Sequence, residues 1–254
     1  MIRGIKGYVL YGLGFFIVLE LMLFAAIFYW PTFAENFSAI SKLASPIPML
    51  RNLTTVVKEE GIPAYVIGQH YFKGCSALGT AACVLFAASA IAGEAHRGTM
   101  EIWLSRPVSR TRLLTERWLG GLIAVILPVF LSSYTIPYLL DMVDESMQWD
   151  DITRCSIHMC LFLAPIYAIT FAWSAFGSEP LRISFVMLFL SILTFALYLV
   201  ESATDYSLFR IVDVRVFLEI LKTKSFDWKM VGPLLAATGI FYVVALKAFQ
   251  RRTP

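Results

Sequence analysis

Six runs of roughly twenty predominantly apolar residues divide this chain, and they limit what it can fold into. A helix of about 20 residues crosses a hydrocarbon core about 30 Å thick, and backbone polar groups there must find partners within the protein. The runs cover residues 7–30, 70–92, 118–140, 156–177, 182–200 and 230–247. They lack the ten-residue alternation of a membrane barrel. We therefore predict an all-α, polytopic membrane protein whose six spans form a single transmembrane domain over residues 1–254.

The amino-acid composition agrees with a membrane location. Hydrophobic residues make up 58% of the chain and charged residues only 15%, whereas a soluble domain carries about a quarter charged residues. The first apolar run has a basic start, as a cleavable leader would, but it is about twice the usual length. We expect this run to be retained as a span.

Lysine and arginine are concentrated on one side of the predicted membrane domain. If both termini and the 93–117 loop are cytoplasmic, that side carries 11 basic residues and four acids, against 10 basic residues and 13 acids opposite. The 11 are Arg3, Lys6, Arg97, Arg106, Arg110, Arg112, Arg117, Arg182, Lys247, Arg251 and Arg252. The positive-inside rule then predicts N-in, C-in topology. We expect the chain to lie in the inner (cytoplasmic) membrane of a bacterium. The net charge of +3 reflects this asymmetry, and no nucleic-acid partner is expected.

The first outer loop, residues 31–69, predicts two short helices at the membrane interface. The first carries apolar residues at helical spacing: Phe33, Phe37, Ile40 and Ala44. The second is predicted to start with Ser45 as N-cap and Pro46 at its first position, to bury a face that includes Met49, and to end at Gly61. These helices either have an interfacial role or simply cover the ends of the spans. The last outer loop, residues 201–230, fits a helix or a strand, and we favour a helix.

The segment GEAHRGTMEIWLSRPVSR, residues 93–110, is polar and organised although it lies between two long apolar runs. We call it the polar segment. Met100, Trp103 and Leu104 share one helical face and predict a short helix with an apolar side toward the membrane domain. Pro107 ends this helix, because the residue before a proline avoids the α region. Ser109 is then the predicted N-cap of a helix that continues into the third span.

The polar segment resembles the "E…GT-E-LL-S-P-SR" signature of ABC type-2 transporter permeases. The matching residues are Glu94, Gly98-Thr99, Glu101, Leu104, Pro107-Val108 and Ser109-Arg110. Six spans with both termini inside agree with that family. Within it, the chain most resembles the short permeases such as the one that serves nitrous oxide reductase maturation.

The resemblance implies that the polar segment is a coupling helix that docks on a cytoplasmic ATPase. The implied coupling residues are Glu94, Arg97, Gly98, Thr99, Glu101, Arg106, Pro107, Ser109 and Arg110. Arg97, Arg106 and Arg110 are expected to pair with ATPase carboxylates, for which the guanidinium fork is suited. The alternative is a solvated loop that obeys the positive-inside rule.

The sequence contains no GxxxxGK[ST] motif, so we expect ATP and Mg²⁺ to bind on a separate P-loop ATPase. The chain itself is then a transporter subunit without a cofactor or catalytic residues of its own. The resemblance implies a permease homodimer with two ATPase copies and an export pathway between the permeases. The alternative function is an ATPase-coupled anchor or mechanical component that acts on an extracytoplasmic accessory protein without bulk transport. The transported substrate stays open.

Glu20 is the acidic residue within a predicted span. A carboxylate at this depth is costly and normally faces an interior or a cavity. We expect Glu20 to line the substrate path or the dimer seam. A structural hydrogen bond to a neighbouring hydroxyl is the alternative.

Four cysteines lie in or beside the spans without CxxC spacing, as is typical of small hydrophobic residues. They are Cys75, Cys83, Cys155 and Cys160. A soft-metal site would require His70, Cys75, Cys155 and His158 to converge near Met142 and Met147. The spacing does not require this convergence, nor a Cys75–Cys155 disulfide, so no metal site is predicted.

Overall fold

The computed structural model describes residues 2–46, 48–105 and 107–252, with the side chains of 2–6 and 48–49 left out. The side chains of Arg3, Lys6 and Met49, and the whole of Arg106, therefore lie outside the described residues. Within the described part, every regular element is a helix. Six helices are long and apolar enough to cross a membrane. We number them as spans 1 to 6: Gly7–Glu35, Ile62–Ala90, Arg110–Asp141, Trp149–Phe176, Pro180–Leu199 and Trp228–Arg251. The predicted all-α fold with six candidate spans is confirmed.

Several spans are longer than the apolar runs that predicted them. The first helix covers Ile2–Glu35 and continues through Pro31. Span 2 begins at Ile62 and contains a π-helical stretch, Ile67–Leu78. Span 3 consists of two helices, Arg110–Ser133 and Ile136–Asp141. The residues added to span 3, 110–117, are largely polar and lie outside the window that hydropathy detects, whereas residues 62–67 added to span 2 are apolar.

The first outer loop contains the two predicted short helices, at Phe37–Ala44 and Pro48–Glu60. The predicted start of the second helix was wrong. Ser45 instead ends the first helix. Its amide donates a hydrogen bond to the Ser41 carbonyl oxygen, and its hydroxyl donates one to the Lys42 carbonyl oxygen. Gly61 ends the second helix in the left-handed region (φ +67°), as predicted.

The last outer loop is helical, as we favoured, and the strand alternative was wrong. Two 3-10 turns, Thr204–Tyr206 and Leu208–Val212, lead into the α-helix Val214–Thr223. Asp213 caps this helix, because its carboxylate accepts a hydrogen bond from the Arg215 amide at 2.8 Å.

At the other end of the bundle, the polar segment forms two short helices. They are Ala92–His96 and Met100–Leu104, and a break separates the second from span 3. The described part of the polar segment is therefore an ordered connection between spans 2 and 3.

Span 4 is the central helix of the bundle. It packs most extensively against span 6 and span 2, and it also contacts spans 3 and 5. Few residues of spans 1, 5 and 6 are buried within the chain, whereas most of span 4 is buried. The exposed residues include many large apolar side chains, such as Leu10, Phe28, Phe185 and Ile240, which suits contact with lipid or with another membrane subunit.

Two glycines allow neighbouring spans to approach closely. A Cβ atom on Gly121 of span 3 would lie 2.2 Å from the Tyr167 hydroxyl oxygen of span 4. A Cβ atom on Gly12 of span 1 would lie 3.2 Å from the Ala124 carbonyl oxygen of span 3. Lipid gives no hydrophobic driving force for the association of two spans. The close packing that small residues allow stabilises such crossings instead.

The contact at Gly121 gives a stability prediction. Gly121→Ala should lower the free energy of unfolding by about 1–3 kcal/mol, because the new methyl group overpacks against the fully buried Tyr167. Gly239→Ala is the matched control, since nothing lies within 4 Å of a Cβ atom there. Denaturation of the two purified variants and the wild type in detergent measures their free energies of unfolding. Equal stability of the two variants would show that the close approach of spans 3 and 4 is absent.

Candidate functional site

The polar segment starts at a helix break that span 4 stabilises. Ile91 leaves the helical path of span 2 (φ −118°) before the helix Ala92–His96. The freed amides of Ile91 and Ala92 donate to the Ser174 hydroxyl oxygen at 3.1 and 2.9 Å. The Ser174 hydroxyl in turn donates to the Ala88 carbonyl oxygen at 2.9 Å. Because an unpaired buried amide is costly, Ser174 fixes the direction in which the chain leaves span 2.

A glycine turn ends the helix Ala92–His96. Gly98 is in the left-handed region (φ +68°), and its amide donates to the Ala95 carbonyl oxygen at 3.1 Å. The next amide, that of Thr99, donates to the Glu94 carbonyl oxygen at 3.0 Å. This pair of bonds is a Schellman motif, which a glycine adopts without strain. The Gly-Thr pair therefore has a structural reason that is local to the turn.

The Glu94 carboxylate joins the turn to span 3. One oxygen accepts a hydrogen bond from the Thr99 hydroxyl at 2.5 Å. The other oxygen accepts a hydrogen bond from the Arg117 guanidinium at 2.8 Å. The same oxygen lies 3.2 Å from the Arg97 guanidinium. The side chains of Glu94 and Arg117 are only 15% and 22% exposed. Glu94 is therefore directed into the bundle.

The environment of Glu94 keeps it ionised at neutral pH. Burial raises the pKa of this carboxyl, but the Thr99 hydrogen bond and the guanidinium groups of Arg117 and Arg97 together bring it below the ordinary value. A carboxyl whose pKa is lowered in the folded state stabilises the fold at pH values above its pKa in the unfolded chain. That contribution is lost as the pH falls through the pKa of the folded state.

An aromatic contact extends this connection to span 6. The Arg117 guanidinium carbon lies 5.0 Å from the ring centre of Trp103, within range of a cation–π interaction. The Trp103 ring lies 5.2 Å from that of Phe249, in the last turn of span 6. Met100 and Trp103 are buried, and Leu104 packs against the core. The predicted apolar face of the polar segment is confirmed.

Two arginines cap the helix ends that meet the polar segment. The Arg110 guanidinium donates to the carbonyl oxygens of Phe249, Gln250 and Arg252 at the end of span 6. Arg252 donates to the carbonyl oxygens of Ser174 and Ala175 near the end of span 4, at 3.4 and 3.1 Å. Cations at these positions interact favourably with the helix dipoles. These three contacts use the Nη1 atom of Arg110, and the expected pairing of Arg110 with an ATPase carboxylate stays a prediction.

The other predicted site residues lie at the surface of the polar segment. Ser109 is the N-cap of span 3, as predicted, and its hydroxyl oxygen accepts from the Arg112 amide at 3.3 Å. Glu101 and Pro107 are exposed. Arg106 lies outside the described residues.

Charged and apolar side chains together form the exposed part of the segment. The Arg97 side chain is 61% exposed, and Ile102 is 67% exposed although it is a large apolar residue. Arg97, Glu101, Ile102 and Pro107 thus extend into solvent, while Glu94, Met100 and Trp103 are held against the bundle. We call these four exposed residues the docking set.

A comparison with family models identifies the family of the chain. The model of the ABC-2 family transporter protein matches residues 12–253, which is nearly the whole chain. The chain belongs to the ABC-2 transporter family. No curated protein matches it significantly. The likeness to nitrous oxide reductase maturation permeases therefore stays a prediction.

Sequence reasoning missed three residues that organise the segment of this ABC-2 permease, Ser174, Arg117 and Phe249, and the exposed Ile102. Ser174 and Phe249 contact the segment from spans 4 and 6, and no local pattern announces such contacts. Arg117 had a signal, since a basic residue in the first turns of span 3 lies near the acidic Glu94. Ile102 lies outside the helical face that Met100 and Trp103 share, and this position indicates exposure.

Glu20 of the permease makes the structural hydrogen bond that was the alternative interpretation. The Thr135 hydroxyl lies 3.1 Å from a Glu20 carboxylate oxygen, and this contact joins span 1 to span 3. Glu20 is partly exposed on the bundle surface. Its role at a substrate path or dimer seam stays a prediction.

The histidines and cysteines converge only in part. His70 lies 3.5 Å from the Cys75 sulfur and 3.1 Å from the Ser133 hydroxyl oxygen. His158 contacts the Ile211 carbonyl oxygen at 2.7 Å instead. Among the described residues, no group of three or more His, Cys, Asp or Glu side chains is arranged to hold a metal ion. The four cysteines are free and buried.

The role of Ser174 is testable in the purified permease. Ser174→Ala should cost about 1–3 kcal/mol of unfolding free energy, because two buried amides lose their acceptor. Hydrogen exchange measured by mass spectrometry should increase at residues 91–99. Ser89→Ala is the control, since the Ser89 hydroxyl bonds only carbonyl oxygens of its own helix. Exchange that does not differ between the two variants would contradict the proposed role of Ser174.

Proposed function

We propose that this chain is the permease subunit of an ATP-driven exporter in the cytoplasmic (inner) membrane of a bacterium. Two permease copies form the export pathway, and two copies of a separate P-loop ATPase bind ATP and Mg²⁺. The polar segment is the coupling helix on which each ATPase acts. Membership of the ABC-2 family supports this proposal, because its permeases generally work with a cytoplasmic ATPase.

The division of the polar segment into an anchored side and an exposed side is the observation that carries the proposal. A segment that transmits force needs firm attachment to the membrane domain on one side. Glu94, Trp103 and the Ser174 contact supply that attachment. It also needs a surface that a partner can bind, and the docking set supplies one. An exposed isoleucine beside charged side chains is typical of a protein contact with an apolar centre and a polar rim.

The contacts of the segment indicate which spans respond when the ATPase moves. The segment follows span 2 and leads into span 3. It also binds span 4 through Ser174 and contacts span 6 through Phe249. A displacement of the segment therefore acts on four spans at once. Span 5 also contacts the helix Ala92–His96 of the segment. Spans 1 and 5 leave large apolar side chains exposed, which supports a second permease copy in contact with these spans.

The charge at this end of the bundle supports the orientation of the chain in the membrane. The docking set lies at the end that carries the excess of lysine and arginine, and the positive-inside rule assigns that end to the cytoplasm. An ATPase in the cytoplasm would reach the docking set without crossing the membrane.

Purification from the native membrane in mild detergent, followed by mass spectrometry, tests the ATPase interaction. A P-loop ATPase should be recovered in roughly stoichiometric amounts with the wild-type chain. Arg97→Ala/Ile102→Ser should reduce this recovery at least about tenfold, since loss of contact hot spots costs more than about 1 kcal/mol each. Both side chains are mostly exposed, and Arg117 still pairs with Glu94 when Arg97 is replaced, so the fold should be retained. Variants of Glu94 or Arg110 would instead test folding.

Arg112→Ala is the matched control for this experiment. Arg112 is an exposed arginine on the same end of the bundle, and it pairs with Glu116 of its own helix. The Arg112→Ala variant should therefore retain the ATPase. The proposal fails if well-folded wild-type protein is purified without a P-loop ATPase, or if the double variant retains as much ATPase as Arg112→Ala.

A further inference from the structure

A cavity of about 470 Å³ lies at the end of the bundle opposite the polar segment. Its walls come from four parts of the chain: the short helix Pro48–Glu60, span 2, the end of span 5 and residues 201–216. This volume is within the range of about 300–1,000 Å³ that small-molecule sites occupy. Neither family membership nor the proposed coupling to an ATPase accounts for this cavity.

The inner part of the cavity is apolar. The Phe72 ring of span 2 lies 5.3 Å from the Tyr198 ring of span 5, and Leu53 and Val56 line the cavity from the short helix. Gly68 leaves space for this arrangement, because a Cβ atom there would lie 3.2 Å from a methyl carbon of Leu53. Aromatic and aliphatic side chains from three elements thus form a surface that suits a hydrocarbon chain.

The rim of the cavity is polar, and its carboxylates are already engaged. The Asp213 carboxylate accepts hydrogen bonds from the Arg215 amide and from the Tyr198 hydroxyl. Glu201 lies 3.9 Å from the Arg51 guanidinium. Both carboxylates therefore have partners other than the Arg215 side chain.

Arg215 is the cation at this rim that has no acidic partner. Its side chain is exposed, and no carboxylate of the described residues lies within 4.0 Å of its guanidinium. Arg210, also on the rim, pairs with Asp205 at 2.7 Å. The rim therefore offers one guanidinium to an anion, and a guanidinium binds the oxygens of a phosphate with matching geometry.

The depth of the cavity places it at the membrane boundary. Span 5 has 20 residues, Pro180–Leu199, and a helix of that length spans about 30 Å, the thickness of the hydrocarbon core. Tyr198 and Leu199 end this helix and line the cavity. The apolar part therefore meets the hydrocarbon, and Arg215 lies on the aqueous side.

We propose that this cavity binds a membrane amphiphile with a phosphate-bearing anionic headgroup, such as a phospholipid. The headgroup contacts Arg215, and part of an acyl chain lies against Phe72, Leu53 and Val56. A soluble anion would use only the guanidinium and would gain nothing from the apolar surface. The proposal does not depend on coupling to an ATPase.

Calorimetric titration of the detergent-purified chain tests this site with three probes. They are dihexanoyl phosphatidylglycerol, dihexanoyl phosphatidylcholine and inorganic phosphate. Phosphatidylglycerol should bind about tenfold more tightly than phosphatidylcholine of the same chain length, because only its headgroup carries net negative charge. Arg215→Gln should remove most of this preference. Leu199→Ser, on the exposed apolar edge, should weaken both lipids.

Lys229→Gln is the matched control, because Lys229 is an exposed cation at the same end of the bundle but does not line the cavity. It should bind both lipids as the wild type does. Equal affinity for the two lipids would overturn the proposal, as would equal effects of Arg215→Gln and Lys229→Gln. Displacement of phosphatidylglycerol by inorganic phosphate at similar concentrations would also overturn it, since the cavity would then be a site for free anions.

Discussion

The buried carboxylate of Glu94 is the constraint on which the end of the bundle near the polar segment depends. A carboxylate that is only 15% exposed is costly unless hydrogen bonds and opposite charge stabilise it. Thr99 supplies a hydroxyl, which requires the turn at Gly98, and Arg117 supplies a guanidinium from span 3. The Arg117 guanidinium then lies over Trp103, which contacts span 6. The stabilisation of one charge thereby joins the turn to two spans.

This arrangement explains why an otherwise apolar chain contains an organised polar segment. Glu94 and Thr99 are directed toward the bundle, and the exposed Gly98 allows the turn that defines the shape of the segment. Arg97 and Ile102 are left at the surface, where they are available to a partner. Residues of the polar segment therefore have two different physical roles, and the exposed ones are suited to bind another protein. At the opposite end, the cavity beside Arg215 meets the bilayer and suits a different kind of ligand.

Local patterns were sufficient to predict the spans, the apolar face of the segment and the Ser109 cap. Each depends on hydropathy or on residues within a few positions of one another. The Ser174 contact with Ile91 joins residues 83 positions apart, and the Arg110 contact with Gln250 joins residues 140 positions apart. No local pattern contains such pairs, so these contacts of Ser174 and Arg110 could not be predicted from the sequence. The start of the second outer helix was misplaced for a different reason, since Ser45 is able to end one helix as well as begin another.

A double-mutant cycle on Glu94 and Arg117 tests the central claim most directly. The unfolding free energies of Glu94→Ala, Arg117→Ala and the double variant, measured by denaturation in mixed detergent, give the coupling energy of the pair. We expect about 1.5–3 kcal/mol, as for a hydrogen bond between charged groups that are mostly buried. The same cycle on the exposed pair Arg112 and Glu116, whose side chains are 64% and 42% exposed, should give no more than about 0.5 kcal/mol. Equal coupling energies for the two pairs would contradict the claim that Glu94 holds the segment to the bundle.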